Sequence, residues 1–246
     1  MYSKKLSIII PAYKEGAWIR PHLKQVKKKI SEFIPNYEII IVVDGIINET
    51  FKEAKKVDGI KVHGYTKNMG KGFALKYGFS KSTGDIITFL DADGDIDAAQ
   101  LRNLYPYLSS SDMVIGSKRH PFSKLHYPLL RKILSKCYQL FTKLVLGVNL
   151  RDTQSGIKLI KREVLEIIMP LVMVKRMAFD VELCFLAQKH GFRVVEAPIF
   201  IDYQMSGSSV GLGTIQRMFL DTLAIRYRYS ILKYYQKAFH KSKFKK

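Results

Sequence analysis

Three continuous apolar runs in the first ninety residues each stop abruptly at a polar cluster, with helix-patterned segments between them. Leu6–Ile10 ends at Pro11, Glu38–Val43 ends at Asp44, and Asp85–Leu90 ends at Asp91. Trp18–Phe33, Thr50–Val57 and Lys71–Lys81 carry helical spacing, and Ile60–Gly64 reads as a weaker strand. Ala98–Leu108 reads as a helix with Asp97 as its N-cap, and Asp112–Gly116 as a further strand. A strand that is apolar on both faces must be covered on both. This alternation therefore predicts an α/β fold around a mostly parallel sheet with flanking helices. Ligands of such sheets bind beyond the carboxyl ends of the strands. The clusters Pro11-Ala12-Tyr13-Lys14-Glu15, Asp44 and Asp91-Ala92-Asp93 are expected to line one crevice.

Asp91, Asp93 and Asp95 follow the third run at alternating positions. Carboxylates so spaced can approach one hard cation. Mg²⁺ and Mn²⁺ prefer oxygen ligands, and Mg²⁺ typically takes one or two carboxylates together with substrate phosphates. The same residues also suit a capped turn leading into the helix at Ala98. The spacing is similar to part of a calcium loop, but Leu104 stands where the closing glutamate would fall.

The 246 residues, 47% of them hydrophobic, suffice for one large domain and not for two enzymatic ones. Charge is lopsided, 41 Lys+Arg against 21 Asp+Glu, which implies an anionic partner: nucleic acid, a membrane surface or a phosphorylated substrate. Most of the imbalance lies in the second half. Met113–Arg151 contains no acidic residue, and from Thr214 onward Asp221 is the only one. Leu130, Ile133, Leu134, Cys137, Leu140, Phe141, Leu144 and Val145 form an apolar helical stripe with a basic opposite face. Ile215, Met218, Phe219, Thr222, Ile225, Tyr229 and Leu232 repeat the pattern. Such helices suit a membrane interface, and the tyrosines Tyr227, Tyr229, Tyr234 and Tyr235 suit it further. Packing on the core or against a second copy of the chain, as a homo-oligomer, is the alternative. No signal-peptide pattern opens the sequence and no run of roughly 18 uncharged apolar residues occurs, so any membrane contact is expected to be peripheral. Cys137 and Cys184 have no partner spacing and are expected as small buried hydrophobes. His120 and His126 lack ligand spacing.

Several segments together resemble a known family. Ser7–Glu15 (SIIIPAYKE), Asn68-Met69-Gly70-Lys71-Gly72 and Asp91-Ala92-Asp93-Gly94 resemble the GT-A, family 2 glycosyltransferases. Gly116–His120 (GSKRH), Arg151–Gly156 (RDTQSG) and Phe179–Leu183 (FDVEL) are similar to the dolichyl-phosphate sugar synthases, the dolichyl-phosphate glucosyltransferase branch most of all. The resemblance spans roughly residues 6–229 and implies a GT-A fold: a single catalytic domain over 1–230, with membrane-interface helices near 121–147 and 213–236. A basic tail, 237–246, is expected to lack fixed structure.

The resemblance implies roles residue by residue. Pro11, Ala12, Tyr13, Glu15, Val42, Asp44, Lys71, Asp91, Ala92 and Asp93 would bind the nucleotide-sugar. Asp91 and Asp93 match the motif that holds the metal and diphosphate, for Mg²⁺ or Mn²⁺, and Asp95 by its spacing alone could add a metal ligand. Lys118, Arg119 and Arg131 would meet the phosphate of a dolichyl or polyprenyl phosphate acceptor, with Asp152, Gln154 and Asp180 orienting sugar or acceptor. The implied enzyme is an inverting glycosyltransferase at the cytoplasmic face of an anionic membrane, with glucose the favoured sugar and GDP-mannose or UDP-N-acetylglucosamine the alternative donors. Three departures stand out. Asp44-Gly45-Ile46-Ile47 keeps one carboxylate of a usual Asp-Asp-Gly-Ser, Asp95 replaces the glutamine of mannose synthases, and Gly207-Ser208-Ser209-Val210 lacks a following basic residue. Two rivals are weaker. A processive polysaccharide synthase carries a Gln-x-x-Arg-Trp motif, whereas the only tryptophan here is Trp18. A basic nucleic-acid-binding protein would fit the charge, but no helix-turn-helix, zinc-finger or RRM signature is present, so no nucleic-acid partner is expected.

Overall fold

The computed structural model describes residues 4–126, 129–202 and 211–243. The first half runs β1 (Leu6–Ala12), α1 (Ile19–Ser31), β2 (Tyr37–Asp44), α2 (Thr50–Lys55), β3 (Ile60–Tyr65), α3 (Lys71–Lys81), β4 (Ile86–Leu90), α4 (Leu101–Leu108) and β5 (Met113–Ser117). The second half runs β6 (Lys124–His126), α5 (Leu129–Leu146), β7 (Ile157–Lys161), α6 (Arg162–Ile168), α7 (Phe179–Lys189), β8 (Val194–Pro198), β9 (Phe200–Asp202), α8 (Leu212–Ser230) and α9 (Tyr234–Lys243). Asp97 caps the turn before α4 as expected, accepting from the Ala99 N–H at 2.8 Å.

Seven strands form one sheet in the order β3-β2-β1-β4-β7-β5-β8. Neighbours run parallel except at β7, which is antiparallel to both β4 and β5. The continuous apolar runs have the expected consequence: alternate residues serve opposite faces. Ile8, Ile10, Ile39, Ile41 and Val43 join one core with α1 and α4, while Ile9, Ile87 and Phe89 join a second core with α6 and α7. A mostly parallel sheet with helices on both faces is thus present. The antiparallel β7 was not foreseen. Its sequence, IKLIK, places two lysines in five residues and lacks the unbroken apolar character of the other strands.

Two further differences concern the second half. Helix α9 extends to Lys243, where composition suggested a tail without fixed structure from 237. Tyr235 is buried, and Ala238 and Phe239 pack partly against the second core, which holds the helix down. Cys184 is buried as expected, but Cys137 is exposed because it lies on the outward side of α5.

At the amino ends of the strands, a buried carboxylate ties the sheet together. Glu38, 7% exposed, accepts from Ser7 Oγ at 2.6 Å, from the Thr83 N–H at 2.6 Å and from Lys61 Nζ at 2.6 Å. Burial acts to raise its pKa, but the hydrogen bonds from Lys61, Ser7 and Thr83 prevail and lower it from 4.5 to about 2. A carboxylate with a depressed folded-state pKa stabilises fully above its unfolded pKa and loses that contribution as pH falls through the folded one. Glu38→Gln is therefore expected to cost about 3 kcal/mol at neutral pH. Urea melts of wild type and variant should show the gap narrowing steadily between pH 4.5 and pH 2. A gap that stays constant over that range would count against the assignment.

Candidate functional site

The carboxyl ends of β1, β2 and β4 converge as their parallel order requires, and each contributes differently. Pro11 and Ala12 close β1. Tyr13 is exposed, with the Lys14 ammonium 5.2 Å from its ring centre. Lys14 has φ 63°, an uncommon conformation for a residue with a side chain. Glu15 lies near enough to Asp91 to feel its charge: burial first, then Asp91, raises its pKa, although a backbone hydrogen bond from Tyr13 opposes this. Ala12 and Ala92 turn their methyl groups into the core, so only their backbone is open to a ligand.

Two expected contacts come out differently. Val42 is fully buried beneath α3, packed with Ala74, so its side chain faces the core and not the crevice. The cause is strand alternation: Val42 shares a face with Ile40. Asp44 is also buried. Its oxygens accept from Asn68 Nδ2 at 3.0 Å, the Met69 N–H at 2.6 Å and the Gly70 N–H at 2.8 Å. It anchors the loop that leads into α3 and sets where Lys71 begins that helix.

Lys71 is the centre of the site. Its Nζ lies 2.7 Å from Asp91 Oδ1 and 3.3 Å from Asp180 Oδ2, and the other oxygen of Asp180 lies 2.6 Å from Lys158 Nζ. Asp91, Lys71, Asp180 and Lys158 form a chain of alternating charges. Lys158 is 1% exposed and also donates to the Ser155 carbonyl at 2.6 Å. Burial acts to lower the Lys71 pKa, but Asp180 and Asp91 outweigh it and raise it. Burial likewise acts to raise the Asp180 pKa, but Lys158 and Lys71 hold it below the usual carboxylate value. Small residues permit this approach. A Cβ on Gly72 would meet Phe179 Cβ at 2.6 Å, so α3 can lie against the start of α7. A Cβ on Gly156 would meet Asp91 Oδ2 at 2.3 Å.

Asp93 lies beside this chain, and its pKa is raised to about 7 by burial first and then by the charges of Asp91 and Asp95. Its Oδ1 accepts from the Asp95 N–H at 3.1 Å. Asp95 departs from the expected three-carboxylate set. Gly94, at φ 81°, turns the chain so that Asp95 lines a cavity with Trp18, His22 and Gln25. Among the described residues, no three His, Cys, Asp or Glu side chains form a metal cage. Asp91 and Asp93 remain, two oxygen donors whose mutual repulsion a cation would relieve. That donor set fits Mg²⁺ or Mn²⁺ completed by phosphate oxygens and water.

The expected acceptor residues cluster one loop away. Asp152 is buried and accepts from the Lys118 N–H at 3.1 Å and the Gln154 N–H at 3.0 Å. Arg119 donates from Nη1 to the Arg151 carbonyl at 2.8 Å and from Nη2 to Ser135 Oγ at 2.6 Å. Four residues after Asp152, the Gly156 carbonyl accepts from the Asp91 N–H at 3.2 Å. Segment 151–156 therefore joins the basic end of β5 to the acidic end of β4. Arg131 is in α5, but its side chain lies outside the described residues, as does all of Gly207-Ser208-Ser209-Val210. Lys158 was not foreseen as part of the site, and Gly156, though part of the RDTQSG segment, had no role of its own there. A lysine in a strand interior between Ile157 and Leu159 was the available signal for Lys158.

Comparison with known proteins fits this geometry. Residues 7–168 match the family described as glycosyl transferase family 2. Dolichyl-phosphate beta-glucosyltransferase of Homo sapiens is 31% identical over 251 residues, covering 92% of this chain and 76% of that protein. Glycosyltransferase AglD of Haloferax volcanii is 29% identical over 213 residues, covering 83% of this chain; the chain spans only 34% of AglD. Among solved structures, glucosyl-3-phosphoglycerate synthase from Mycobacterium tuberculosis, in complex with Mn²⁺, UDP-glucose and phosphoglyceric acid, superposes with a TM-score of 0.69 at 20% identity. That match covers 91% of this chain and 80% of the other, and the two share the GT-A fold.

Proposed function

The chain belongs to glycosyl transferase family 2, and from that premise we propose that it transfers a hexose, glucose foremost, from a nucleotide-sugar to dolichyl or polyprenyl phosphate. The observation that carries the acceptor class is the state of Asp180. A hydroxyl acceptor needs a base, and Asp180, a buried carboxylate of the site, has its two oxygens engaged by Lys71 and Lys158, which lower its affinity for a proton and make it a weak base. A phosphate monoester needs no base, since its second pKa is roughly 6. It needs an anion-binding surface and alignment against C1 of the sugar. Lys118, Arg119 and Arg131 are assigned to that surface. Tyr13 and Glu15 are assigned to the nucleoside, Lys71 to the diphosphate, and Asp91 and Asp93 to the metal. Asp152 and Gln154 orient the sugar or the acceptor through the 151–156 loop. A bound Mg²⁺ or Mn²⁺ would supply charge that offsets the departing diphosphate. One displacement on this plan inverts the anomeric centre. The alternative of a nucleic-acid-binding module has no support from the family or the relatives.

The second half supports a peripheral seat on a membrane. No helix among the described residues is long and apolar enough to cross one. Along α5, Ile133, Leu134, Leu140 and Leu144 are exposed, the last at 76%. On α8 the predicted stripe packs inward through Thr222 and Ile225, while Leu220, Leu223 and Tyr227 stay exposed. The two helices pack against each other through Tyr138, Phe141 and Phe219. Their outward apolar rows, flanked by Lys136, Lys143, Arg217 and Arg226, suit an anionic lipid surface of the cytoplasmic leaflet.

Two experiments test these readings. UDP-glucose, GDP-mannose and UDP-N-acetylglucosamine are each offered with a short polyprenyl phosphate, with and without Mn²⁺. Transfer is expected to be fastest with UDP-glucose, to require the metal, to give a β-linked product, and to fall at least about 100-fold in Asp93→Ala. Transfer to a soluble hydroxyl acceptor in preference to the lipid phosphate would overturn the proposal. For membrane attachment, flotation with anionic liposomes should carry the protein upward, and Leu140→Glu with Leu144→Glu should abolish it. A protein that stays at the bottom at low salt, and sediments as a dimer, would assign the apolar rows to a second copy.

A further inference from the structure

Lys158 touches neither the nucleotide crevice nor the acceptor loop's basic groups, yet it ends a chain of contacts that begins at the candidate metal ligand Asp91. Asp91 and Asp180 share the ammonium of Lys71, at 2.7 Å and 3.3 Å. They are not equivalent: the Asp91 side chain is 29% exposed, that of Asp180 only 4%. An unpaired charge costs far more at the more deeply buried site. Lys158 is what satisfies Asp180, at 2.6 Å and with almost no exposure. With Asp180 so satisfied, Lys71 is free to stand nearer to Asp91.

We propose that Lys158 is a positioning residue that sets how the charge of Lys71 is divided between Asp180 and Asp91, and thereby tunes the affinity of Asp91 and Asp93 for a divalent cation. The proposal rests on the metal reading above. Without the Lys158 charge, Asp180 draws Lys71 to itself. Asp91 is then left more negative, so the cation binds more tightly while Lys71 is withdrawn from the diphosphate. Without the Asp180 charge as well, Lys71 has Asp91 as its only carboxylate, and the cation binds more weakly. Two substitutions in one chain thus shift metal affinity in opposite directions. General damage to the fold weakens binding in both and does not produce that pattern.

The chain carries its own reporter. Trp18 is the only tryptophan, and its ring lies against Gly94, where an added Cβ would be 3.2 Å from Cζ2. Mn²⁺ is paramagnetic and quenches nearby fluorescence, so titration with Mn²⁺ alone reads binding at the Asp91–Asp95 turn without turnover. The wild type should show saturable quenching that Asp93→Ala removes. Lys158→Met should tighten Mn²⁺ several-fold and lower kcat for sugar transfer about tenfold with little change in the acceptor KM. The double variant Lys158→Met with Asp180→Asn, which removes both buried charges and spares the fold an unpaired one, should weaken Mn²⁺ several-fold. Lys158→Arg, which keeps the charge, should stay near wild type. Lys158→Met and the double variant shifting Mn²⁺ affinity in the same direction would overturn the proposal. So would a double variant that binds as tightly as wild type, a result that decides the matter even if Lys158→Met does not fold. Absence of saturable quenching in the wild type would instead sink the metal reading on which this one stands.

Discussion

An ammonium group almost wholly removed from water survives in a protein interior only where a carboxylate and further hydrogen bonds replace its hydration. Lys158 meets that condition with Asp180 and the Ser155 carbonyl, and the rest of the site follows from it. Asp180 in turn is tolerable because Lys71 stands on its other side, and Lys71 because Asp91 completes the sequence. Four charges alternate and cancel. Each lies on a different element: β7, the first turn of α7, the start of α3 and the end of β4. The chain therefore fixes how the two halves of the molecule meet. It also explains the two close approaches nearby, since neither Gly72 nor Gly156 has room for a side chain.

The same arrangement separates two kinds of electrostatic work. On the nucleotide side, Asp91 and Asp93 gather negative charge beneath the place where a diphosphate and a cation are proposed to sit. On the acceptor side, the segment from Met113 to Arg151 carries no acid at all. The 151–156 loop bridges the two, with Asp152 on the Lys118 N–H and Gly156 on the Asp91 N–H. Transfer to a lipid phosphate, as proposed above, would bring two anions together, and this fold places compensating charges on either side of one short loop. Glu38 does the opposite kind of work at the far end of the sheet, holding strands together where no ligand is expected.

Much of this was legible in the residues. Continuous apolar runs ending at Pro11, Asp44 and Asp91 imply a parallel sheet and a crevice at its carboxyl edge. The Asp97 cap and the helical stripe from Leu130 to Val145 were equally readable. Three of the single-residue differences share one cause: they depend on which side of an element a residue faces once tertiary packing is complete. Val42 resembles a crevice residue by its place at a strand end, yet strand alternation turns it into the core. Asp95 continues the Asp91–Asp93 spacing, yet the turn at Gly94 carries it to the α1 side. Cys137 belongs to an apolar stripe that the structure leaves facing outward. Lys158 looked like an ordinary charged residue because its partner lies 22 positions away. Aspartates at strand ends advertise a site, whereas the lysines that neutralise them do so only in three dimensions.

On the function proposed above, the site supplies alignment and charge, and leaves proton removal to the chemistry of the acceptor. The most direct test is the pH dependence of kcat at saturating Mn²⁺, compared between a polyprenyl phosphate and its phosphonate analogue, whose second ionisation lies higher. If the acceptor's own ionisation makes the nucleophile, the acidic limb of the profile moves upward with the analogue by the difference between the two acceptor pKa values. If a carboxylate of the protein removes a proton, the limb stays in place when the acceptor is exchanged. That result would contradict the account.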